Sequence, residues 1–126
     1  MNAYLDTHVA VWLAQGDLKQ VSPSAKKVIR NCNLLVSPMV ELELEYLCEI
    51  GRILISSQDV IIKLGAELGV SVCNRPFQEI VAVAKQEKWT RDPFDRIIVS
   101  HAKQNGLAPL ISADEDIQKH YVKTVW

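Results

Sequence analysis

Hydrophobic positions along this chain follow two alternating patterns. Short continuous apolar runs predict buried strands, and longer stretches with apolar residues at helical spacing predict amphipathic helices. The predicted strands are residues 3–5, 34–36, 70–73, 109–112 and 122–126. This alternation predicts an α/β fold of three layers, in which a central parallel sheet of about five strands is covered by helices on both faces.

Capping residues mark where the helices begin. Ser22-Pro23 and Ser37-Pro38 each place a serine N-cap before a proline at the first helical position, and Asp92-Pro93 is a similar start. The predicted helices run from Asp6 to Gly16, from Ser22 to about residue 31, from Ser37 to Gly51, from Gln58 to Leu68, from Pro76 to about Lys88 and from Asp92 to Gly106, with a short one after Asp114.

The length and the cysteine content restrict the class of protein. A chain of 126 residues has room for a single domain spanning residues 1–126. Its three cysteines are odd in number and form no CxxC pair, which predicts free buried thiols and no zinc site. Asp6 and His8 interrupt the first apolar run, and no run is long enough for a membrane span. We therefore expect a cytoplasmic protein without a membrane segment.

The net charge of −1, from 14 basic and 15 acidic residues, lacks the basic excess that nucleic-acid-binding proteins usually show. An acidic cleft with a basic rim would give the same sum. The charge therefore leaves nucleic-acid binding open, and the positions of the individual acids become the informative feature.

Two acids follow predicted strands directly. Asp6 comes after the first strand, and Asp114 lies two residues after Ser112, where another strand ends. The carboxyl ends of parallel strands meet at one edge of a sheet, and the functional cleft lies beyond that edge. We therefore expect Asp6 and Asp114 to lie close together.

Glu43 is predicted to lie in the middle of an apolar helix face. At about 100° per residue, Val40, Tyr46, Leu47 and Ile50 all fall within roughly 60° of it. A charge there costs several kcal/mol unless it has a partner or a metal ion. A core acid paired with an arginine and a functional acid both explain the pattern.

Asp95 also begins an apolar stripe, which it shares with Ile98 and Val99 while Ile97 turns away. Asp92 reads as the N-cap of this helix. Asp95 at the third helical position resembles part of a capping box, and it could combine that role with a place in the cleft.

Asp6, Glu43, Asp95 and Asp114 are thus predicted to face one cleft. Such a group repels itself unless its pKa values rise or divalent cations bind. Oxygen-only ligands favour Mg²⁺ or Mn²⁺. The chemistry that fits is metal-assisted phosphodiester hydrolysis, with one ion activating a water and another stabilising the leaving oxygen.

The motifs carrying these acids resemble the PIN-domain family, and within it the VapC-type toxin ribonucleases. The order and spacing of the similar pieces cover essentially the whole chain. They are Tyr4-Leu5-Asp6-Thr7-His8, Val36-Ser37-Pro38 followed by Glu43 and Gly51-Arg52-Ile53, Arg91-Asp92-Pro93-Phe94-Asp95-Arg96, and Leu110-Ile111-Ser112-Ala113-Asp114.

The resemblance implies a five-stranded parallel sheet with the first strand central. It implies a Mg²⁺- or Mn²⁺-dependent endoribonuclease with an RNA substrate, a homodimer, and a VapB-like antitoxin partner. The family's acids correspond to Asp6, Glu43, Asp95 and Asp114, and its small hydroxyl residue to Ser112. Many relatives have histidine where this chain has Thr90, and the segment around Glu43 carries extra glutamates.

Several other polar residues have competing interpretations. Thr7 could support a metal-bound water, although a helix N-cap is favoured. Arg91 precedes a helix and is a candidate for binding the RNA backbone. Arg96 is predicted to pair with Asp92, with a phosphate contact as the alternative. His8 is expected at the surface or behind the ligands, and Trp12, Trp89 and Trp126 in the core or an interface.

Two other functions stay open. A phosphatase with Asp6 as nucleophile is disfavoured, because no second aspartate lies two residues later and no lysine motif follows. A catalytically degenerate module that binds RNA or a partner is disfavoured by the presence of all four acids. Metal-dependent cleavage of RNA distinguishes the nuclease from both.

Overall fold

A single sheet of five parallel strands forms the centre of the molecule. The computed structural model describes residues 1–126. The strands are β1 (Asn2–Leu5), β2 (Asn33–Val36), β3 (Ser71–Val72), β4 (Leu110–Ile111) and β5 (Thr124–Val125). Their order is β3-β2-β1-β4-β5, and every neighbouring pair is parallel. The predicted parallel sheet is confirmed, with β1 central, although β3, β4 and β5 are shorter than their apolar runs.

Both faces of the sheet are buried. Successive side chains of a strand point to opposite faces. In β1, Ala3, Tyr4 and Leu5 are all 0% exposed, and in β4 so are Leu110 and Ile111. Helices therefore cover the sheet on both sides, which confirms the predicted three-layer α/β/α architecture.

Seven helices connect and cover the strands. They are α1 (Thr7–Gln15), α2 (Pro23–Asn31), α3 (Pro38–Glu49), α4 (Ser57–Leu68), α5 (Phe77–Ala84), α6 (Pro93–Gln104) and α7 (Glu115–His120). The serine caps predicted for α2 and α3 are confirmed, because Ser22 accepts a hydrogen bond from the Ala25 amide and Ser37 from the Met39 amide. A 3₁₀ turn, Leu18–Gln20, was not predicted.

Helix α5 ends at Ala84, four residues before the predicted end. The chain turns there and buries Glu87, which forms an ion pair with Lys103 of α6. The indole Nε1 of Trp89 donates a second hydrogen bond to the same carboxylate, at 2.7 Å. A helix that continued past Ala84 would lose the ion pair between Glu87 and Lys103. Sequence periodicity does not reveal this ion pair, so the helix was predicted to be too long.

Helix α6 buries two faces instead of one. Ile98, Val99 and Ala102 belong to the main core, as predicted. Ile97 turns away from that face, as predicted, but it is not exposed, because it packs with Ile80 and Ala84 of α5 in a second small core. Packing of α5 against α6 accounts for the difference.

The strand order reverses beside β1. The chain runs from β1 outward through β2 and β3, and then returns to place β4 on the other side of β1. The Asp6 amide donates to the Ile111 carbonyl at 3.0 Å, which fixes the carboxyl ends of β1 and β4 side by side. Open parallel sheets place their ligand cleft at this kind of switch point.

The three cysteines differ in burial, and none of them forms a disulfide. All three cysteines are free; Cys73 is buried, whereas Cys32 and Cys48 are only half-buried. The predicted burial of the thiols is therefore complete for Cys73 alone. No helix combines the length and the apolar content that crossing a bilayer requires.

We predict that Lys103→Met destabilises the fold by about 2 kcal/mol, since it leaves the buried Glu87 carboxylate without its cation. Urea denaturation measures this loss. Lys63→Met, on the exposed side of α4, is the matched control and should change the free energy of unfolding by less than about 0.5 kcal/mol. Equal effects of the two variants would contradict a structural role for the ion pair.

Candidate active site

A cleft of about 330 Å³ lies beyond the carboxyl ends of β1 and β4. Five of its eight lining residues are acidic, and no lysine or arginine lines it. The lining residues are Asp6, His8, Trp12, Glu43, Asp92, Asp95, Ala113 and Asp114. The structure thus brings together the four acids that the sequence placed far apart, and adds Asp92.

Asp6 is buried and hydrogen-bonded through both carboxylate oxygens. It is the N-cap of α1, where Oδ1 accepts the Thr7 amide at 2.8 Å. Oδ2 accepts the hydroxyl of Ser112 at 2.6 Å. Ser112 in turn accepts the Asp114 amide at 3.1 Å, so one hydroxyl connects the two strand-end acids. Ser112 thus lies between the two acids, and its supporting role in the site stays a prediction.

Thr7 supports Glu43. The Thr7 side chain is not the N-cap of α1, contrary to the favoured interpretation, because Asp6 occupies that position. The Thr7 hydroxyl instead donates a short hydrogen bond to Oε1 of Glu43. Asp6 and Glu43 are therefore each held by a hydroxyl donor, and Thr7 links β1 and α1 to α3.

Glu43 lies at the edge of the buried face of α3 rather than at its middle. Val40 and Leu44 are 0% exposed, whereas Tyr46 and Ile50 are about half exposed. The face is thus rotated away from the predicted centre. The one ion pair of the structure joins Lys103 to Glu87, so the alternative of a core glutamate paired with an arginine is wrong.

Asp92 and Asp95 have separate roles at the start of α6. Asp92 is the N-cap, as predicted, and its Oδ1 accepts the amides of Phe94 and Asp95 at 2.8 and 3.4 Å. The Asp92 amide bonds to the Thr90 hydroxyl at 3.1 Å and not to Asp95, so no capping box forms. The half-buried Asp95 carboxylate makes no protein hydrogen bond and faces the cleft.

Asp114 occupies the exposed rim of the cleft. It is the N-cap of α7, and its Oδ1 accepts the amides of Asp116 and Ile117 at 2.9 and 3.0 Å. Capping therefore uses one oxygen of this carboxylate.

Helices α3 and α6, which carry Glu43 and Asp95, are joined by a buried histidine. Nδ1 of His101 lies 2.9 Å from the Ser37 hydroxyl and 3.2 Å from the Ile97 carbonyl. Burial lowers the pKa of His101, which favours the neutral ring. This contact sets the N-terminus of α3 against the last turn of α6.

Burial and neighbouring charges raise the pKa values of Asp6, Glu43 and Asp95. Burial raises the pKa of Asp6, against the hydrogen bonds from Ser112 and Thr7. Burial also raises the pKa of Glu43, where the Thr7 hydroxyl opposes the shift and the Asp6 charge adds to it. For Asp95, burial and then repulsion from Asp92, Asp6, Asp114 and Glu43 raise the pKa to about 8.

The donor set fits a hydrated hard cation. No three His, Cys, Asp or Glu side chains are grouped so that they alone would hold a metal ion. Mg²⁺ keeps several waters and uses only one or two carboxylates, so it does not require such a cage. Carboxylates that repel one another, with no lysine or arginine beside them, are the environment in which a divalent cation is stabilised.

The two arginines proposed to bind substrate lie outside the cleft lining. Arg91 is exposed, with a 3.4 Å hydrogen bond to the Lys88 carbonyl. The predicted ion pair of Arg96 with Asp92 is wrong. The Arg96 guanidinium donates twice to the Ala84 carbonyl, at 3.3 and 3.0 Å, and so joins α6 to the end of α5.

His8 and Trp12 are cleft residues that the sequence argument did not place there. Both lie on α1 four residues apart, and therefore on one helix face. Their spacing from the N-cap Asp6 was the available signal. The molecule is therefore an α/β domain with an acidic, oxygen-rich cleft at the switch point of its parallel sheet.

Comparison with known families identifies the chain. The PIN domain model matches residues 3–123, and the protein belongs to the PIN-domain family. No curated sequence matches it significantly.

Solved toxin-antitoxin structures share the fold. VapBC2 from Rickettsia felis, bound to a DNA fragment from its promoter, has a TM-score of 0.62 and 16% identity, over 98% of this chain and 96% of that one. A toxin-antitoxin complex from Klebsiella pneumoniae gives 0.62 and 20%, with the same coverage. VapBC-1 from nontypeable Haemophilus influenzae gives 0.56 and 19%, over 94% and 92%.

Asp95→Asn should stabilise the metal-free protein at alkaline pH. The pKa of Asp95 rises from 3.8 to about 8, so the folded state binds this proton more tightly than the unfolded chain. The resulting stability is complete below pH 3.8 and is lost as the pH rises through about 8. Partial solvent access reduces the expected stabilisation to about 1 kcal/mol. The substitution should therefore raise Tm at pH 8 in EDTA by about 3–6 °C.

Thermal scans from pH 5 to 8 measure this difference. Asp59→Asn, which changes an exposed acid at the start of α4, is the control. Its Tm should fall with rising pH as steeply as that of the unmodified protein. Added Mg²⁺ should stabilise the unmodified protein more than the Asp95→Asn variant. A Tm difference independent of pH would contradict the assignment of this proton to Asp95.

Ser112→Ala should destabilise the protein by about 2 kcal/mol, because the buried Asp6 carboxylate loses a charge-assisted hydrogen bond. Chemical denaturation measures the loss. Ser24→Ala, on exposed α2, removes a hydroxyl that makes no side-chain hydrogen bond and should be close to neutral. Stability unchanged by Ser112→Ala would show that the 2.6 Å contact contributes little.

Proposed function

We propose that the protein is a Mg²⁺- or Mn²⁺-dependent endoribonuclease and the toxin of a toxin-antitoxin pair. The observation that carries the proposal is the convergence of Asp6, Glu43, Asp95 and Asp114 around one cleft without a lysine or arginine. PIN-domain toxins of the VapC type are generally nucleases, which agrees with this chemistry.

The four carboxylates would hold the ion, one or two of them directly and the others through its waters. Ser112 would orient Asp6, and Thr7 would orient Glu43. Both oxygens of Asp6 already accept hydrogen bonds, so its carboxylate has a fixed orientation. Asp95 has no hydrogen-bond partner and is the acid free to adjust to an ion or a proton. When bound, the cation supplies Lewis-acid polarisation of the phosphate and lowers the pKa of a water. Hydrolysis of this kind leaves 3′-hydroxyl and 5′-phosphate ends.

The phosphatase alternative lacks the residues it would need. No second aspartate lies two residues after Asp6, and no lysine lines the cleft. The raised pKa values argue against a catalytically degenerate binding module. A protein that binds no ion in this cleft would be more stable without these acids. Neither alternative predicts metal-dependent cleavage of RNA.

The proposal extends to the partners. The structural neighbours described above are toxin-antitoxin assemblies, and we infer a VapB-like antitoxin and a homodimer for this chain. Free thiols agree with a reducing cytoplasm. Large apolar side chains exposed on α3, α4 and the segment between them offer surface for a partner, namely Leu42, Leu54 and Ile62. A small DNA-binding protein is expected in the adjacent gene.

Purified protein should cleave single-stranded RNA with Mg²⁺ or Mn²⁺ and not with EDTA. Asp6→Asn and Asp95→Asn should each lower kcat/KM by at least about 100-fold, because loss of a ligand carboxylate weakens the stabilisation of transition-state charge. A gel assay of labelled RNA measures the rates.

Asp59→Asn removes one acid from an exposed helix start outside the cleft, and should retain full activity. The Asp95→Asn variant adds a further check, since it should be inactive yet at least as stable as the unmodified protein. Full activity in EDTA would refute the metal mechanism, and robust cleavage by both cleft variants would refute the site.

A further inference from the structure

The cleft contains an aromatic wall besides its acids. His8 and Trp12 both border the cleft, and their ring centroids lie 6.3 Å apart with planes tilted by 49°. His8 is exposed and Trp12 is half-buried. The two rings and Ala113 are the only lining residues that are not carboxylates.

A second tryptophan packs against Trp12. The ring of Trp126, which follows β5, packs against it with centroids 5.7 Å apart and planes tilted by 42°. Trp12 also packs against the main core. A side chain held in this way loses little conformational entropy when a ligand contacts it, which favours binding.

The acids determine which part of an RNA this wall can contact. Five carboxylates border the cleft and no lysine or arginine does, so only a bound cation would attract the phosphate there. A favourable contact with the lining itself must then come from the neutral part of the nucleotide. A nucleobase has a planar face that stacks on aromatic side chains irrespective of its sequence.

We propose that His8 and Trp12 form a stacking wall for one unpaired nucleobase adjacent to the phosphate that enters the acidic cleft. The inference rests on the proposed ribonuclease function and assigns the two side chains that would contact the base. A base inside a duplex is stacked on its neighbours and cannot present a face to the wall.

The test compares two probes of equal length and charge: oligouridylate and a stable abasic analogue of its backbone. The Asp95→Asn protein with Mg²⁺ serves as the parent, so that the RNA stays intact while fluorescence anisotropy measures Kd. The parent should bind oligouridylate roughly 10-fold more tightly than the abasic chain. Trp12→Leu, added to the parent, should abolish most of this preference.

Trp12→Phe retains an aromatic face and should keep most of the preference. Phe77→Leu, on the exposed start of α5, makes a similar aromatic-to-leucine change outside the cleft and should keep all of it. Thermal scans establish that each variant is folded. The comparison of the two probes on the parent protein tests the proposal even if a Trp12 variant does not fold. An equal Kd for both probes, or a preference that survives Trp12→Leu, overturns the proposal.

Cleavage by the unmodified enzyme is scored separately. Base-dependent binding through Trp12 without metal-dependent cleavage would refute the nuclease and support the wall. Cleavage of oligouridylate without any base-dependent binding would support the nuclease and refute the wall.

Discussion

Repulsion among carboxylates is the constraint that the rest of this structure has to oppose. Asp6, Glu43, Asp92, Asp95 and Asp114 border one cleft, and their mutual repulsion adds to burial in raising the pKa of Asp95 to about 8. Such a cluster persists only where rigid surroundings hold it. Strand β4 and the buried residues 3–5 of β1 provide the rigidity, and the hydroxyls of Ser112 and Thr7 compensate part of the electrostatic cost.

The same constraint explains the arrangement of the helices. Two of the cleft acids follow strands, whereas Glu43 and Asp95 come from α3 and α6. Relative movement of these two helices would change the separation of their carboxylates. The contact of His101 with Ser37 joins them inside the core, and a neutral ring does so without adding charge near the acids. The same contacts therefore stabilise the core and fix the geometry of the cleft.

Local signals in the sequence predict the layers, the parallel sheet and the positions of the four acids. Prolines, serine caps and the strand-to-acid steps at Asp6 and Asp114 are encoded within a few residues. Features that depend on distant partners escaped prediction. The hydroxyl of Thr7 bonds to Glu43 instead of capping, Ile97 is buried by α5, and Arg96 bonds to the Ala84 carbonyl. The place of Trp12 in the cleft likewise requires knowing how α1 lies beside β4 and β5.

The central position of β1 has a consequence for the newly made chain. Asp6 leaves the ribosome more than 100 residues before its neighbouring strand β4 and the rim acid Asp114. Domains fold as units during synthesis, and pairing of strands so distant in sequence is slow because a long loop must close first. A nascent or truncated chain therefore has no complete acidic cleft. A cell that translates this message is exposed to the assembled cleft only after nearly the whole domain has been synthesised.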